Sequence, residues 1–218
     1  MVIKESVLPR RPPKNPQPCI VEGGDCGACV LAGVLGITPL EVYDLHESGR
    51  YSGGGDISKL SAFNFHSMYR TLKKMASITQ EHCSGVPRRL EHALVEIPIW
   101  PFTCHEMNTQ FGLPGKMQSR AWLEHAKAMV SSGYYGIAQV KNGGKSELKN
   151  YGETDHWLTI AGWRCTYETS DVPVPHGTYK THILIADSAL SQPLEQWITA
   201  HDFLNVWGGF AAFWAKPL

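Results

Sequence analysis

Three things are missing from this sequence: an excess of charge, a long apolar run and a dense set of cysteines. Twenty Lys and Arg residues balance 20 Asp and Glu residues in a chain of 218. A neutral chain is a poor electrostatic match for nucleic acid or an anionic membrane, so we expect neither as the main partner. No run approaches the roughly 20 apolar residues of a spanning helix, and residues 1–18 hold no apolar core of a signal peptide. The sequence therefore predicts a cytoplasmic protein, with export by a route without a cleaved signal left open.

Cysteine is present in small number, and its use follows from the missing secretory signal. The six cysteines stand at positions 19, 26, 29, 83, 104 and 165. Without secretion, free thiols are expected in place of a disulfide framework. Reactivity or metal binding is then a reason for one or more of them.

The remaining composition is that of an ordinary globular protein, with 43% apolar and 18% charged residues. The length predicts one domain, or one domain with an insertion. Residues 1–18 are rich in Pro, Arg and Lys and show no periodicity, which indicates an extended leader running over the surface. Residues 19–218 are then the single domain.

Helical patterns dominate the first half of that domain, about 26–132, and strand patterns the second, about 134–218. Helices are predicted at 26–35, at 61–76 and at 121–132, the last ending before Gly133. A further helix is predicted to begin after Thr38, with Thr38 as its cap and Pro39 in its first turn. Strands are predicted at 134–140, 156–163, 181–189 and 209–215, with a helix at 198–207 capped by Thr199. Such segregation argues for an α+β fold and against alternating βαβ units.

The most informative segment is DCGACV, in which a Gly-rich loop becomes an apolar helix at Cys26. A helix N-terminus favours a thiolate, and its first N–H groups are available to an oxyanion. Cys29 competes for the role, because spacing alone does not choose between the two. Cysteine is also often a small buried apolar residue, so a purely structural role stays open.

An activated cysteine needs a base, and the base needs a third group that orients it. His156 begins an apolar strand after a polar loop, and Asp187 directly follows the apolar stretch of another. An Asp at the mouth of a buried strand is costly without a partner. Asp187 and Ser188 are also compatible with a simple turn, and His156 with a core histidine. Taken jointly, in the order Cys, His, Asp, they favour a catalytic triad.

These segments resemble a known family. DCGACVLAGVLGITPLEVYDL, the His156-Trp157-Leu158 opening of a strand, and Ala186-Asp187-Ser188-Ala189 are similar to the papain-like cysteine peptidases that remove double-glycine leaders from bacteriocins, and to related stand-alone proteases of bacteria and phages. The resemblance covers about residues 19–40 and 134–218, and residues 45–130 have no counterpart.

The resemblance implies a papain-like fold, with an N-terminal helical half packed on a C-terminal antiparallel sheet. It implies a cysteine peptidase acting on a protein or peptide, with Cys26, His156 and Asp187 as triad and neither cofactor nor metal. The family carries an oxyanion Gln five or six residues before the Cys, where this chain has Ile20 and Val21. Gln17 is the upstream candidate for that role. The segment 164–180 is expected to be an inserted hairpin beside the cleft.

Other chemistries fit parts of the same pattern. The triad also serves a protein deamidase or an acyltransferase, and the displaced Gln is compatible with a catalytically inactive binding module. The spacing of Cys26 and Cys29 suits a structural zinc ion, although the sequence has no second C-x-x-C. Four aromatic residues of the middle region are candidates for lining a substrate groove: Trp100, Phe102, Phe111 and Trp122. Large aromatic residues more often lie in the core.

Overall fold

The structure is a computed structural model. It describes residues 2–14, 20, 24–48, 68, 71–72, 75, 95–96, 115–140, 156–168, 178–189, 194–207 and 212–217.

One antiparallel sheet organises these residues, with strand order β2-β7-β3-β4-β5-β6 and with β1 paired to β4. Its strands are β1 Val2–Val7, β2 Val95–Glu96, β3 Tyr135–Val140, β4 His156–Glu168, β5 Thr178–Ala186, β6 Glu195–Thr199 and β7 Ala212–Pro217. The helices with continuous bounds are α1 Cys26–Leu35, α2 Pro39–Ser48, α3 Gly115–Ser131 and α4 Ala200–Trp207. The predicted α+β class is confirmed at this level.

The centre of the sheet is buried on both faces. Along β3, Tyr135 and Ile137 join a core with α1 and α2, whereas Ala138 and Val140 join a second core with α3 and α4. Successive residues of a strand point to opposite faces, and all six residues of β3 are buried. A sheet with two apolar faces needs helices on both sides. Helices α1 and α2 pack on one face of the sheet, and α3 and α4 pack on the other.

The N-terminal segment belongs to the sheet and does not merely run over it. Strand β1 pairs with the outer half of β4, although most of its residues are exposed. Beyond it, the Arg10 N–H donates to the Tyr135 hydroxyl oxygen at 3.0 Å, and Arg10 Nη1 donates to the Val34 carbonyl at 2.7 Å. The segment is extended, as predicted, but it connects β3 to α1 and is part of the folded unit.

The two predicted threonine caps are confirmed. The Thr38 N–H donates to Glu41 Oε2 at 2.9 Å, and the Glu41 N–H donates to Thr38 Oγ1 at 3.3 Å, which is a reciprocal capping box at the start of α2. The Asp202 N–H donates to Thr199 Oγ1 at 3.1 Å at the start of α4. The starts of both helices are thus fixed by local hydrogen bonds.

The segment 164–180 supplies the outer ends of β4 and β5, paired from Arg164 with His182 to Glu168 with Thr178. Strands rise about 3.3 Å per residue, so Glu168 is roughly 40 Å along β4 from His156. The described parts of this segment, 164–168 and 178–180, therefore lie at the end of β4 and β5 away from His156, and for them the expected position beside the cleft is wrong.

Trp122 belongs to the core: its side chain is buried and stacks on Phe203 with ring centroids 5.3 Å apart. The other three aromatic candidates, Trp100, Phe102 and Phe111, lie outside the described residues. Among the helices of the described residues, none is both long enough and apolar enough to cross a bilayer.

Substitution of Gly33 by Ala tests the contact between α1 and the N-terminal segment. Helix propensity alone predicts a gain of about 1 kcal/mol in the free energy of unfolding. A Cβ at Gly33, however, would lie 2.5 Å from the backbone of Pro12. We therefore expect Gly33→Ala to lower the free energy of unfolding by about 1–3 kcal/mol, because the added Cβ overpacks this contact. Urea denaturation of the variant and the wild-type protein measures the difference. Because the two effects have opposite signs, a stabilised variant would contradict the packing of residue 12 on α1.

Candidate active site

The N-terminus of α1 presents Cys26 as the first helical residue, directly after Asp25 at the N-cap. The first bond of the helix runs from the Cys29 N–H to the Asp25 carbonyl at 2.8 Å. The N–H groups of residues 26 to 28 come before that bond and so have no acceptor within the helix. Amide donors therefore surround the cysteine that opens the helix.

The two cysteines of α1 differ in their access to solvent. Cys29 is fully buried, whereas Cys26 is partly exposed. A nucleophile must reach its substrate, so exposure favours Cys26 over Cys29 as the reactive thiol. The burial of Cys29 agrees with its expected place as a small core residue.

The sulfur of Cys26 lies among backbone amides. Burial raises the pKa of the Cys26 thiol, and hydrogen bonds from the backbone of Trp157 and Gly27 oppose that rise. Charge on the Asp187 carboxylate also raises this pKa. The indole of Trp157 is buried and stacks on Phe213, which anchors the strand that brings its amide to the sulfur.

The residue before Trp157 is His156, the first residue of β4. His156 Nε2 lies 2.8 Å from Asp187 Oδ1, and the Asp187 side chain is fully buried. With Nε2 held by the carboxylate, Nδ1 is the ring atom that can take a proton from a nucleophile. The structure thus brings His156 of β4 together with Asp187 at the end of β5. The residue after His156, Trp157, places β4 beside Cys26.

Asp187 takes part both in a turn and in a contact with His156. It opens a turn, because its Oδ1 accepts the Ala189 N–H at 2.8 Å, and it also contacts His156. Its own N–H donates to the Leu194 carbonyl at 2.8 Å, next to β6. Two hydrogen bonds to its carboxylate and one from its backbone N–H therefore fix Asp187 at the end of β5.

Burial shifts the protonation of this pair toward uncharged groups. It raises the pKa of Asp187 to about 6 and lowers the pKa of His156 to about 4. The pair therefore loses one proton near pH 6, and at pH 7 a neutral imidazole faces a carboxylate. The sequence predicts a thiolate at the helix N-terminus, whereas burial favours the neutral thiol of Cys26 and the neutral imidazole of His156.

Two residues near the site escaped the sequence analysis as functional candidates. Asp25 is fully buried, and its carboxylate accepts the Tyr43 hydroxyl at 2.8 Å and the Ile20 N–H at 2.7 Å. The contact between Asp25 and Tyr43 joins α1 to α2 across 18 positions of the chain. No local pattern signals such a pairing, although a charged residue next to a nucleophile is a reason to look for its partner.

Gln17, the predicted oxyanion donor, lies outside the described residues. Four further residues whose side chains could add zinc ligands to Cys26 and Cys29 also lie outside the described residues: His82, Cys83, Cys104 and His105. Within the part of the chain that the structure describes, no group of three or more His, Cys, Asp or Glu side chains is placed to hold a metal ion.

Comparison with protein-family models and comparison with curated proteins each gave no match for this chain. The chemistry of the site therefore has to be argued from its own residues. A partly exposed thiol, an imidazole held by a buried carboxylate and helix amides directed at the thiol sulfur are the components of nucleophilic acyl transfer.

The pKa of Asp187 predicts the acid limit of any activity at this site. Above about pH 6 the pair of Asp187 and His156 has lost one proton, and His156 can act as a base. Below about pH 6 the pair keeps that proton. We expect kcat/KM to fall about tenfold per pH unit as the pH drops below about 6. A pH–rate profile between pH 4.5 and 8 measures this, and a profile flat down to pH 4.5 would contradict the assignment of the base.

Proposed function

We propose that the protein is a cysteine peptidase with a papain-like fold that hydrolyses a peptide or isopeptide bond through Cys26, His156 and Asp187. The observation that carries the proposal is the buried hydrogen bond between His156 and Asp187, which is 2.8 Å long. The residue after His156, Trp157, makes a backbone hydrogen bond to the Cys26 sulfur. An imidazole oriented by a carboxylate beside a thiol at a helix N-terminus is the arrangement that thiol acyl transfer requires.

In the first half of the reaction, the sulfur of Cys26 attacks the carbonyl carbon of the scissile amide. The thiol proton passes to Nδ1 of His156 as the carbon–sulfur bond forms. Asp187 stabilises the imidazolium that results. His156 then gives the proton to the leaving nitrogen, the carbon–nitrogen bond breaks, and the acyl group remains on sulfur as a thioester.

In the second half, water replaces the amine. His156 takes a proton from the water as its oxygen attacks the thioester carbon. The carbon–sulfur bond then breaks, the proton returns to sulfur, and the carboxylic acid leaves. The site is restored with a neutral thiol and a neutral imidazole.

Oxyanion stabilisation falls to the first turn of α1 in this proposal. The Cys26 N–H has no acceptor within the helix and stands next to the reacting sulfur. Gln17 is the proposed second donor. It precedes Ile20 by three residues, which span at most about 10 Å, and the Ile20 N–H is bonded to Asp25.

The same parts can perform related reactions. If the substrate amide is a glutamine side chain, hydrolysis yields deamidation, and if an amine replaces water, acyl transfer results. The products separate these alternatives: peptide hydrolysis creates a new N-terminus, deamidation adds about one dalton without cleavage, and transfer adds the mass of the amine. An inactive binding module, the remaining alternative, would leave Cys26 no more reactive than the other thiols.

Substitution of the two α1 cysteines tests the nucleophile. We expect Cys26→Ala to lower peptide turnover by at least about 1000-fold, because the acyl-accepting sulfur is gone, while the chain stays folded by circular dichroism. Cys29→Ala is the matched control: it removes a buried thiol from the same helix and should retain turnover within a few-fold. Loss confined to Cys29→Ala would show that the nucleophile was misassigned.

Substitution of the other two residues separates the base from its orienter. We expect His156→Ala to approach the loss of Cys26→Ala, and Asp187→Asn to lose roughly 100-fold, since the ring keeps its proton-transfer role in a less favourable orientation. Peptide turnover at pH 8 measures both. Wild-type turnover in Asp187→Asn would mean that the 2.8 Å bond to His156 has no catalytic role.

A further inference from the structure

Asp25 stands at the N-cap of α1, yet its side chain makes none of the usual capping bonds within the described residues. An N-cap Asp normally accepts the N–H of the second or third helical residue, here Gly27 or Ala28. Instead, Oδ1 accepts the Tyr43 hydroxyl at 2.8 Å and Oδ2 accepts the Ile20 N–H at 2.7 Å. Two bonds thus turn the carboxylate away from the first turn of α1.

The bond to Tyr43 is held firmly in place. Both side chains are fully buried, and a hydrogen bond to a charged acceptor is about twice as strong as a neutral one. Burial raises the pKa of Tyr43, and the bond to Asp25 raises it further, so the phenol stays protonated and donates. Tyr43 lies on α2, whose start is fixed by the capping box between Thr38 and Glu41.

The first turn of α1 has two competing uses for its N–H groups. A capping carboxylate would occupy them, and it would set a negative charge beside the Cys26 sulfur. In the structure the backbone amides of Gly27 and Cys26 instead hydrogen-bond with that sulfur. An oxyanion formed on Cys26 needs the same donors. Where the Asp25 carboxylate points therefore decides whether the turn is available for chemistry.

We propose that Tyr43 is a positioning residue whose hydroxyl keeps the Asp25 carboxylate off the first turn of α1, so that the N–H groups of that turn serve the Cys26 sulfur and the oxyanion. This inference rests on the proposed function of Cys26 as an acyl acceptor. It adds a residue that acts through Asp25.

Loss of the Tyr43 hydroxyl has a specific consequence. Oδ1 of Asp25 would be buried without that donor, which is costly. The preferred donors for an N-cap side chain are the N–H groups of Gly27 and Ala28. The carboxylate is therefore expected to turn onto them, which restores ordinary capping and removes the donors from the site.

Two probes of Cys26 separate this effect from general damage. Acylation by p-nitrophenyl acetate forms an oxyanion and releases nitrophenolate. Alkylation by iodoacetamide replaces iodide at a CH₂ carbon and forms no oxyanion. Both reactions consume the Cys26 thiolate, so the ratio of their rate constants at one pH cancels any change in thiolate fraction. Each rate constant is followed by mass spectrometry of the peptide containing Cys26.

We expect Tyr43→Phe to lower the acylation-to-alkylation ratio by about 10- to 100-fold, within the range for loss of an oxyanion donor. Tyr135→Phe is the matched control, because it removes another buried hydroxyl from the same core, one that accepts the Arg10 N–H. Its ratio should stay within about twofold of wild type. In the double variant Asp25→Ala with Tyr43→Phe, no carboxylate is left to occupy the turn, and the ratio should return to within about threefold of wild type.

Several outcomes would overturn the inference: an unchanged ratio in Tyr43→Phe, an equal fall in Tyr135→Phe, or no recovery in the double variant. If Tyr43→Phe alone does not fold, the single variant Asp25→Ala is compared with the double variant Asp25→Ala and Tyr43→Phe. We expect the two variants to have equal acylation-to-alkylation ratios, and a tenfold difference between them would refute the inference. Failure of the proposed function gives a different result, namely ester turnover that survives Cys26→Ala.

Discussion

The pairing of β4 with β5 is the constraint on which the candidate site depends. His156 opens one strand and Asp187 closes the other, so antiparallel alignment brings both to the same end of the sheet. Their side chains then meet at 2.8 Å in a buried position, where an unpartnered carboxylate would be costly. The pair is thus produced by the register of two long strands, and a shift of one residue would turn every side chain to the other face.

The helix that carries Cys26 is fixed against this sheet by several independent contacts. Its apolar side chains pack with those of β3, β4 and β7. Gly33 allows the backbone of Pro12 to approach closely, and Asp25 joins the start of the helix to α2. The partly exposed cysteine therefore stands on a rigid element, as a site of nucleophilic chemistry requires.

Local sequence signals predicted the elements well and their assembly less well. Helix α1 begins and ends where the apolar stretch after Asp25 indicated, and Thr38 and Thr199 cap as expected, because capping depends on residues three apart. The sheet position of β1 was missed, since its partner lies more than 150 residues away along the chain and its residues are mostly exposed. The second helical layer was missed because strand patterns do not say which helix covers which face.

At the site, composition and position singled out Cys26, His156 and Asp187, because each stands where a regular element begins or ends. Tyr43 gave no such signal, since it lies inside a helix and its proposed role depends on a bond to a distant carboxylate. The pKa shifts that favour the uncharged forms of His156 and Asp187 could not be predicted from the sequence either, because they come from burial that only the folded chain creates.

The bond between Arg10 and Tyr135 joins residues that are 125 positions apart, so it can form only late in the synthesis of the chain. Among the described strands β1 pairs with β4, so this pairing waits until more than 140 residues after position 14 are made. Helix α1 can form early, but its docking surface on β3 and β4 comes late, and contacts so distant in sequence slow folding. A nascent chain therefore carries an unassembled thiol site until most of the polypeptide exists.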